Sequence, residues 1–247
     1  MHGWGTAEPG ADAVRVWLIP SDLPVPVLGD LETVLDEGER RRADAFAHPV
    51  DRRRFVAAHG AARLILARLL LAPVEEIRWR HGPHGKPELT GAGAGLHTSL
   101  SHSGDLAALA IARGRRVGVD VQRLGSMLDA VRLSARYYPE GEARFVAAAR
   151  SVAGQVDRFV RLWARKEACV KATGGRLAQG LKLPVRGSGR SGGAARSAAE
   201  ILVHDPDGPL PGPYLVRDVP APPGFRACVA LEGAEGYRVS RRRWSAA

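Results

Sequence analysis

Apolar residues recur at helical spacing in two stretches of the first half, about Leu31 to Phe46 and Asp51 to Leu71; in the second, Phe55, Ala58, Ala62, Ile65, Leu66 and Leu69 fall on one broad face. Pro73 ends that helix. Upstream, Val14–Ile19 alternates as a short strand and the cluster Pro20, Pro24 and Pro26 breaks it. Ile77–Arg80 fits a further strand, and His81-Gly-Pro-His-Gly-Lys-Pro87 is a loop by composition. Leu96–Ser103, Leu106–Ala112 and Val117–Gln122 predict three strands, with tight turns at Ser103-Gly-Asp105 and Arg113-Gly-Arg-Arg116. Helices resume near Met127–Tyr137, Glu140–Ala149 and Val156–Ala172, and Ile201–His204, Tyr214–Asp218 and Phe225–Leu231 close the chain as strands. Arg186–Ala199, a Gly/Ser/Ala/Arg tract without an apolar anchor, is expected to be a mobile loop. Both halves run helices first and strands after. The expected fold class is therefore α+β, with two similar α+β lobes, 1–114 and 115–247.

Composition narrows the classes. The chain has 247 residues, 45% hydrophobic and 25% charged, an ordinary globular balance that excludes a wholly disordered protein. Lys and Arg number 36 against 26 Asp and Glu, a net charge of +10 that suits a polyanionic partner: nucleic acid, anionic lipid, a polyphosphate cofactor or an acidic protein. Two cysteines, Cys169 and Cys228, are too few for a disulfide scaffold or a four-cysteine zinc site. No basic-then-apolar leader is readable in the first twenty residues, and the longest apolar runs fall short of the ~18 residues a membrane helix needs. A cytoplasmic protein without a membrane partner is the expectation.

Three segments carry candidate chemistry. In Val117-Gly-Val-Asp-Val-Gln122 the valines point to the core, while Gly118, Asp120 and Gln122 share the other face. An acid there, beside a glycine that lets a ligand approach, suits a metal or phosphate site; the alternative is an edge strand with a solvated Asp. In Phe159-Val-Arg-Leu-Trp-Ala-Arg-Lys-Glu-Ala-Cys-Val-Lys171, Glu167 and Lys171 are an i, i+4 pair, which by itself marks only an amphipathic helix; Gly174 and Gly175 stop it. Thr98-Ser-Leu-Ser-His-Ser103 gathers hydroxyls and a histidine before a turn, groups able to hold phosphate oxygens or simply to be solvated. No Gly-x-Ser-x-Gly elbow or paired histidine spacing supports a serine hydrolase or zinc enzyme, and Gly91–Gly95 precedes no helix pattern.

Taken in order, His84-Gly-Lys-Pro87, Ser99-Leu-Ser-His-Ser103, Gly118-Val-Asp-Val121 and Trp163-Ala-Arg-Lys-Glu-Ala-Cys-Val-Lys171 resemble the signature of the 4′-phosphopantetheinyl transferases. The likeness is to the long, two-lobed class that activates nonribosomal peptide and polyketide synthases, and it spans roughly residues 35 to 232. It implies a pseudo-twofold pair of lobes with the active site in the cleft between them, working as a monomer. The implied reaction moves the phosphopantetheine arm of coenzyme A to a serine of an apo acyl or peptidyl carrier protein, in peptide, polyketide or fatty acid synthesis, and releases 3′,5′-ADP. By the same resemblance Asp120 and Glu167 ligate Mg²⁺, or Mn²⁺, across the lobe interface. Glu167 or a neighbouring water takes the serine proton, and Lys171 stabilises phosphate charge or protonates the leaving nucleotide. Ser101 and His102 hold the coenzyme's phosphates, Lys86 reaches its pyrophosphate or adenine side, and Arg42 and Arg54 match the basic residues that grip the nucleotide. Where many members carry a second acid, this chain has Gln122, which serves the metal directly or through a water.

Two other readings compete. A nucleic-acid-binding module fits the charge and the tail arginines Arg238 and Arg241–Arg243, but aromatics are only 6% and the basic runs are scattered rather than interleaved with them. A coenzyme A-binding relative without activity is opposed by the intact Asp120, Glu167 and Lys171.

Overall fold

The structure is a computed structural model describing residues 9–10, 12–82, 85–125, 129–187, 200–210 and 212–246. Among these the chain divides into two compact units: Met1–Gly114 with Tyr237–Ala247, and Arg115–Gly236.

In the first unit, β1 (Ala13–Pro20) is followed by α1 (Val25–Thr33), α2 (Glu37–Asp44) and α3 (Pro49–Leu70). A small hairpin of β2 (Trp79–His81) and β3 (Pro87–Leu89) comes next, then β4 (Leu96–Ser103) and β5 (Leu106–Arg113). The apolar face read for α3 is the one buried: Phe55, Ala58, Ala62, Ile65 and Leu66 pack with Trp17, Ile19, Leu109 and Ile111 of the sheet. The single helical stretch expected over Leu31–Phe46 is two helices. Asp36 starts the second, its side chain accepting the Glu39 amide at 2.8 Å while Glu39 reaches back to the Asp36 amide at 3.2 Å, a reciprocal cap that forces a new helix start.

That cap is tied into the interior. Arg63 of α3, 2% exposed, donates to Glu39 and Asp36 and to the Ile77 carbonyl at 3.1 Å. Glu39 also faces His59 Nδ1 at 3.1 Å. Burial pushes the Glu39 carboxyl up, but its bonds with His59 and Arg63 outweigh this and hold it below the ordinary value.

The second unit opens with β6 (Val117–Arg123), then α4 (Ala130–Tyr137), α5 (Glu140–Ala147), α6 (Val152–Thr173) and the short α7 (Leu177–Gly180). It closes with β7 (Glu200–Val203), β8 (Tyr214–Val219) and β9 (Phe225–Glu232). α6 begins on Ser151, whose hydroxyl accepts the Gly154 amide at 3.1 Å, and stops at Gly174 in the left-handed region, as the glycine pair foretold. Its buried side, with Val160, Ala164, Ala168 and Ala172, packs with Val216, Cys228 and Ala230. Residues 126–128 and 188–199 lie outside the described residues, so the start read at Met127 and most of the Arg186–Ala199 loop are not described.

The two units share a topology. Each runs strand, helices, strands, with the first strand pairing antiparallel to the last, and the last to the one before it: β1-β5-β4 and β6-β9-β8. Each is spanned by a 22-residue helix, α3 or α6. The helices-first order is corrected accordingly: both halves start on a strand, β1 and β6, and each of these strands was itself readable at Val14–Ile19 and Val117–Gln122. One further correction concerns the tail. The segment expected to belong with residues 115–247 contains β10 (Arg238–Arg243), which pairs in parallel with β1 and so belongs to the first unit. With four arginines in six residues it shows no apolar alternation, and backbone pairing alone makes it a strand.

The Arg63 cluster yields a stability prediction. Arg63→Ala leaves Glu39 buried without its cation and should cost about 3–5 kcal/mol in urea unfolding at neutral pH. Because Glu39's native pKa is lowered, its contribution is complete above the ordinary value of 4.5 and is lost as pH falls through the native value. The stability gap between wild type and Glu39→Gln should therefore narrow below about pH 4.5; a gap that widens on acidification contradicts this assignment.

Candidate active site

The second unit brings four of the singled-out residues together. Asp120, midway along β6, is fully buried; Lys171 Nζ donates to its Oδ1 at 2.6 Å and Gln122 Nε2 to its Oδ2 at 3.0 Å. Glu167, one turn before Lys171 on α6, is half-buried. Burial and then the charge of Asp120 push its carboxyl upward, against the opposing pull of Lys171. Both carboxylates belong to the second unit, on a strand and the helix packed against it. The expectation that they face each other across a lobe interface is corrected accordingly.

Gly118 explains how strand and helix come so close. A Cβ at this position would lie 1.9 Å from the Ala168 carbonyl and 2.4 Å from the Ala172 nitrogen. Its hydrogen is what lets α6 settle backbone-to-backbone on β6, two residues from Asp120. The glycine serves the approach of the helix, not that of a ligand. β6 is an edge strand of its sheet, yet Asp120 is not solvated, because the Gly118/Asp120/Gln122 face is the one that α6 covers.

The remaining cations of the helix turn elsewhere. Lys166, 1% exposed, pairs with Glu142 of α5 at 2.6 Å, donates to the Leu183 carbonyl and sits 4.7 Å from the Tyr138 ring centroid. Glu142 in turn accepts the Val185 and Arg186 amides at 2.6 and 2.9 Å. Burial pulls the Lys166 ammonium down, with Glu142 opposing. Arg165 is clamped on Asp218 by two bonds of 2.8 and 2.7 Å. Lys166 and Arg165 thus fix the rotation of α6 about its axis, leaving Glu167 and Lys171 to face Asp120. Sequence reading found the helix but not these anchors; Glu142 and Asp218 carry no local signal, being paired over 24 and 53 residues.

The other candidates lie in the first unit. Arg54 of α3 bonds Asp105 in the β4–β5 turn at 3.0 and 3.2 Å and Asp51 at 3.3 Å, tying the start of α3 to the turn that follows His102. Arg42 lies 5.2 Å from the Phe55 ring centroid. On β4, Ser101 is buried and His102 exposed. Lys86 is half-buried on the turn before β3; His84 lies outside the described residues.

Two adjacent carboxylates and an amide oxygen are hard oxygen donors, suited to Mg²⁺ or Mn²⁺. Among the described residues no group of three or more His, Cys, Asp or Glu side chains forms a closed metal cage. One or two carboxylates completed by water and substrate oxygens is how Mg²⁺ is ordinarily held, so the donor set fits that ion.

Residues 116–197, covering both β6 and α6, match the model of the 4′-phosphopantetheinyl transferase superfamily. The chain is 34% identical over 187 residues to 4′-phosphopantetheinyl transferase HetI of Nostoc sp., covering 72% of this chain and 78% of that protein. It is 29% identical over 170 residues to the putative 4′-phosphopantetheinyl transferase slr0495 of Synechocystis sp. (68% and 67% of the two chains), and 37% identical over 115 residues to 4′-phosphopantetheinyl transferase AcpT of Salmonella typhimurium (47% and 57%). The chain belongs to the 4′-phosphopantetheinyl transferase superfamily, and is an enzyme of mixed α+β fold that transfers phosphopantetheinyl groups.

Two substitutions test the architecture. Gly118→Ala should push α6 off β6 and lower stability by about 1–3 kcal/mol or more, read by chemical denaturation. Lys166→Ala should cost about 3–5 kcal/mol by stranding Glu142, whereas the paired change Lys166→Met with Glu142→Gln, which removes the charge and keeps an oxygen for the Val185 and Arg186 amides, should recover much of that loss.

Proposed function

We propose that the enzyme transfers the 4′-phosphopantetheine arm of coenzyme A to a serine of an apo carrier protein, with Mg²⁺, releasing 3′,5′-ADP. The observation carrying this reading is the buried Asp120 carboxylate, bonded to Lys171 and adjoined by Glu167, on the strand and helix that the family model matches. Asp120 and Glu167 would hold the metal, which supplies charge neutralisation at the pyrophosphate. In the transfer the serine Oγ forms a bond to the phosphorus attached to the pantetheine arm, and the bond from that phosphorus to the bridging oxygen breaks. Glu167, or a water beside it, takes the serine proton, and Lys171 stabilises the charge on the phosphate or protonates the departing nucleotide. The geometry favours Gln122 acting on Asp120 as a donor, holding its second oxygen in place, rather than as a direct ligand. In the first unit Arg42, Arg54, Lys86, Ser101 and His102 are assigned to the coenzyme's phosphates and nucleotide, a role supported by the polyanionic character of that substrate. Nonribosomal peptide, polyketide or fatty acid carriers are the proposed acceptors, and a single chain the working unit.

Incubation with coenzyme A, Mg²⁺ and an apo carrier protein, followed by mass spectrometry, should show a gain of one phosphopantetheine on the carrier serine. Asp120→Ala and Glu167→Ala should nearly abolish that gain with folding retained, and Lys171→Ala should also slow it severely. Gln122→Ala should raise the metal concentration for half-maximal rate by about tenfold, the usual cost of losing an outer partner of a ligand. Full activity in excess chelator would refute the metal's part.

A further inference from the structure

Both oxygens of the Asp120 carboxylate are already engaged. Lys171 Nζ donates to Oδ1 at 2.6 Å and Gln122 Nε2 to Oδ2 at 3.0 Å, and the residue is fully buried. Asp120 cannot move to find room. It lies midway along β6, in register with Cys228 of β9, and α6 covers the face it projects from.

A divalent cation and the Lys171 ammonium therefore compete for this group. Mg²⁺ takes a carboxylate oxygen at about 2.1 Å, and an ammonium kept on the same buried carboxylate would repel it with little water to screen the two charges. Of the two donors, Lys171 is the one that must leave. Gln122 is neutral, and its amide can stay on Oδ2 as an outer partner of the ligand. Lys171 carries the charge, and it has a way out: its side chain is 30% exposed, on a flexible four-carbon stem, whereas Lys166 five residues earlier is sealed on Glu142. Lys171 also stands in the last turn of α6, where the carbonyl end of the helix favours a cation whether or not Asp120 is bonded to it. Exchange of one cation for another keeps the buried carboxylate compensated throughout, which loss of Lys171 alone would not.

We propose that Lys171 is the counter-ion of Asp120 until a divalent cation displaces it, and that the displaced ammonium is the one then offered to the phosphate. The proposal rests on the transfer reading above, in which Asp120 and Glu167 take Mg²⁺ and Lys171 serves the phosphate. Cation binding thus arms the lysine. By linkage, whatever holds the lysine away from Asp120 also tightens the cation. A phosphate that accepts from Lys171 and the cation at Asp120 therefore favour each other's binding, beyond any contact between them.

The test uses the full-length enzyme with Mg²⁺ alone, its lysines labelled with the heavy nitrogen isotope and followed by NMR. Lys86, Lys166, Lys171 and Lys182 are the chain's four lysines, so the ammonium signals are few. Lys171→Arg, which keeps a cation on Asp120, identifies the signal from Lys171. Addition of Mg²⁺ should speed exchange of the Lys171 ammonium protons with water by about tenfold or more, while Lys166 does not change. The midpoint should match that of Mg²⁺ binding by calorimetry. Lys171→Met should bind Mg²⁺ about tenfold more tightly, because no bond has to be given up. A Lys171 signal that keeps its protection at saturating Mg²⁺ overturns the proposal, as does weaker Mg²⁺ binding in folded Lys171→Met. The wild-type measurement decides even where the Met variant does not fold. Enzyme that shows the exchange but modifies no carrier would instead defeat the transfer reading, leaving the displacement at Asp120 in place.

Discussion

Everything proposed for this enzyme depends on α6 lying directly on β6. The contact is possible because Gly118 presents a hydrogen where any other residue would strike the Ala168 carbonyl, and because the helix offers alanines at 164, 168 and 172. With the two backbones in contact, Lys171 reaches Asp120 at 2.6 Å in a setting where the carboxylate is wholly removed from solvent. A buried carboxylate is costly unless it is paired, and here Lys171 and Gln122 supply the partners. The Glu142–Lys166 and Asp218–Arg165 pairs then set which face of the helix meets the strand. Structure and chemistry are joined in one stretch of helix: Arg165 and Lys166 anchor it on one side, and Glu167 and Lys171 present its reactive groups on another.

Much of this was legible in the sequence. The strands at 96–103, 106–113 and 117–123 and the long helices were readable because their apolar positions recur at the period of the element, and each also packs against a core. Asp120, Glu167 and Lys171 could be picked out as chemistry-bearing residues, and the structure gathers them. What was hidden falls into two kinds. Where pairing partners rather than side-chain pattern decide the conformation, as in β10 with its arginines, periodicity has nothing to report. Where a contact joins residues far apart in sequence, as with Glu142 and Lys166, neither carries a mark of the other. The split between α1 and α2 lies between these cases: Asp36 and Glu39 have capping-box spacing, but the continuous apolar periodicity around them conceals the break.

The repeated strand–helices–strands order illustrates the same limit. The two units share the pairing of first strand with last and a 22-residue helix, although no residue-level repeat marks the chain. A core asks for apolar residues at given positions and tolerates many choices among them, so topology persists where sequence likeness does not. The chemistry is not repeated with the topology. In the first unit the long helix ties its buried arginine, Arg63, to a helix cap; in the second it carries Glu167 and Lys171 to a strand carboxylate.

The central claim is that Asp120 and Glu167 form the cation site of a phosphopantetheinyl transfer. It is tested most directly by anomalous diffraction from crystals grown with Mn²⁺ and coenzyme A. The account predicts a single strong manganese peak within coordination distance of both an Asp120 and a Glu167 carboxylate oxygen, with pyrophosphate oxygens completing its shell. A peak away from these two side chains, or coenzyme A bound in order with no metal beside Asp120, would contradict it.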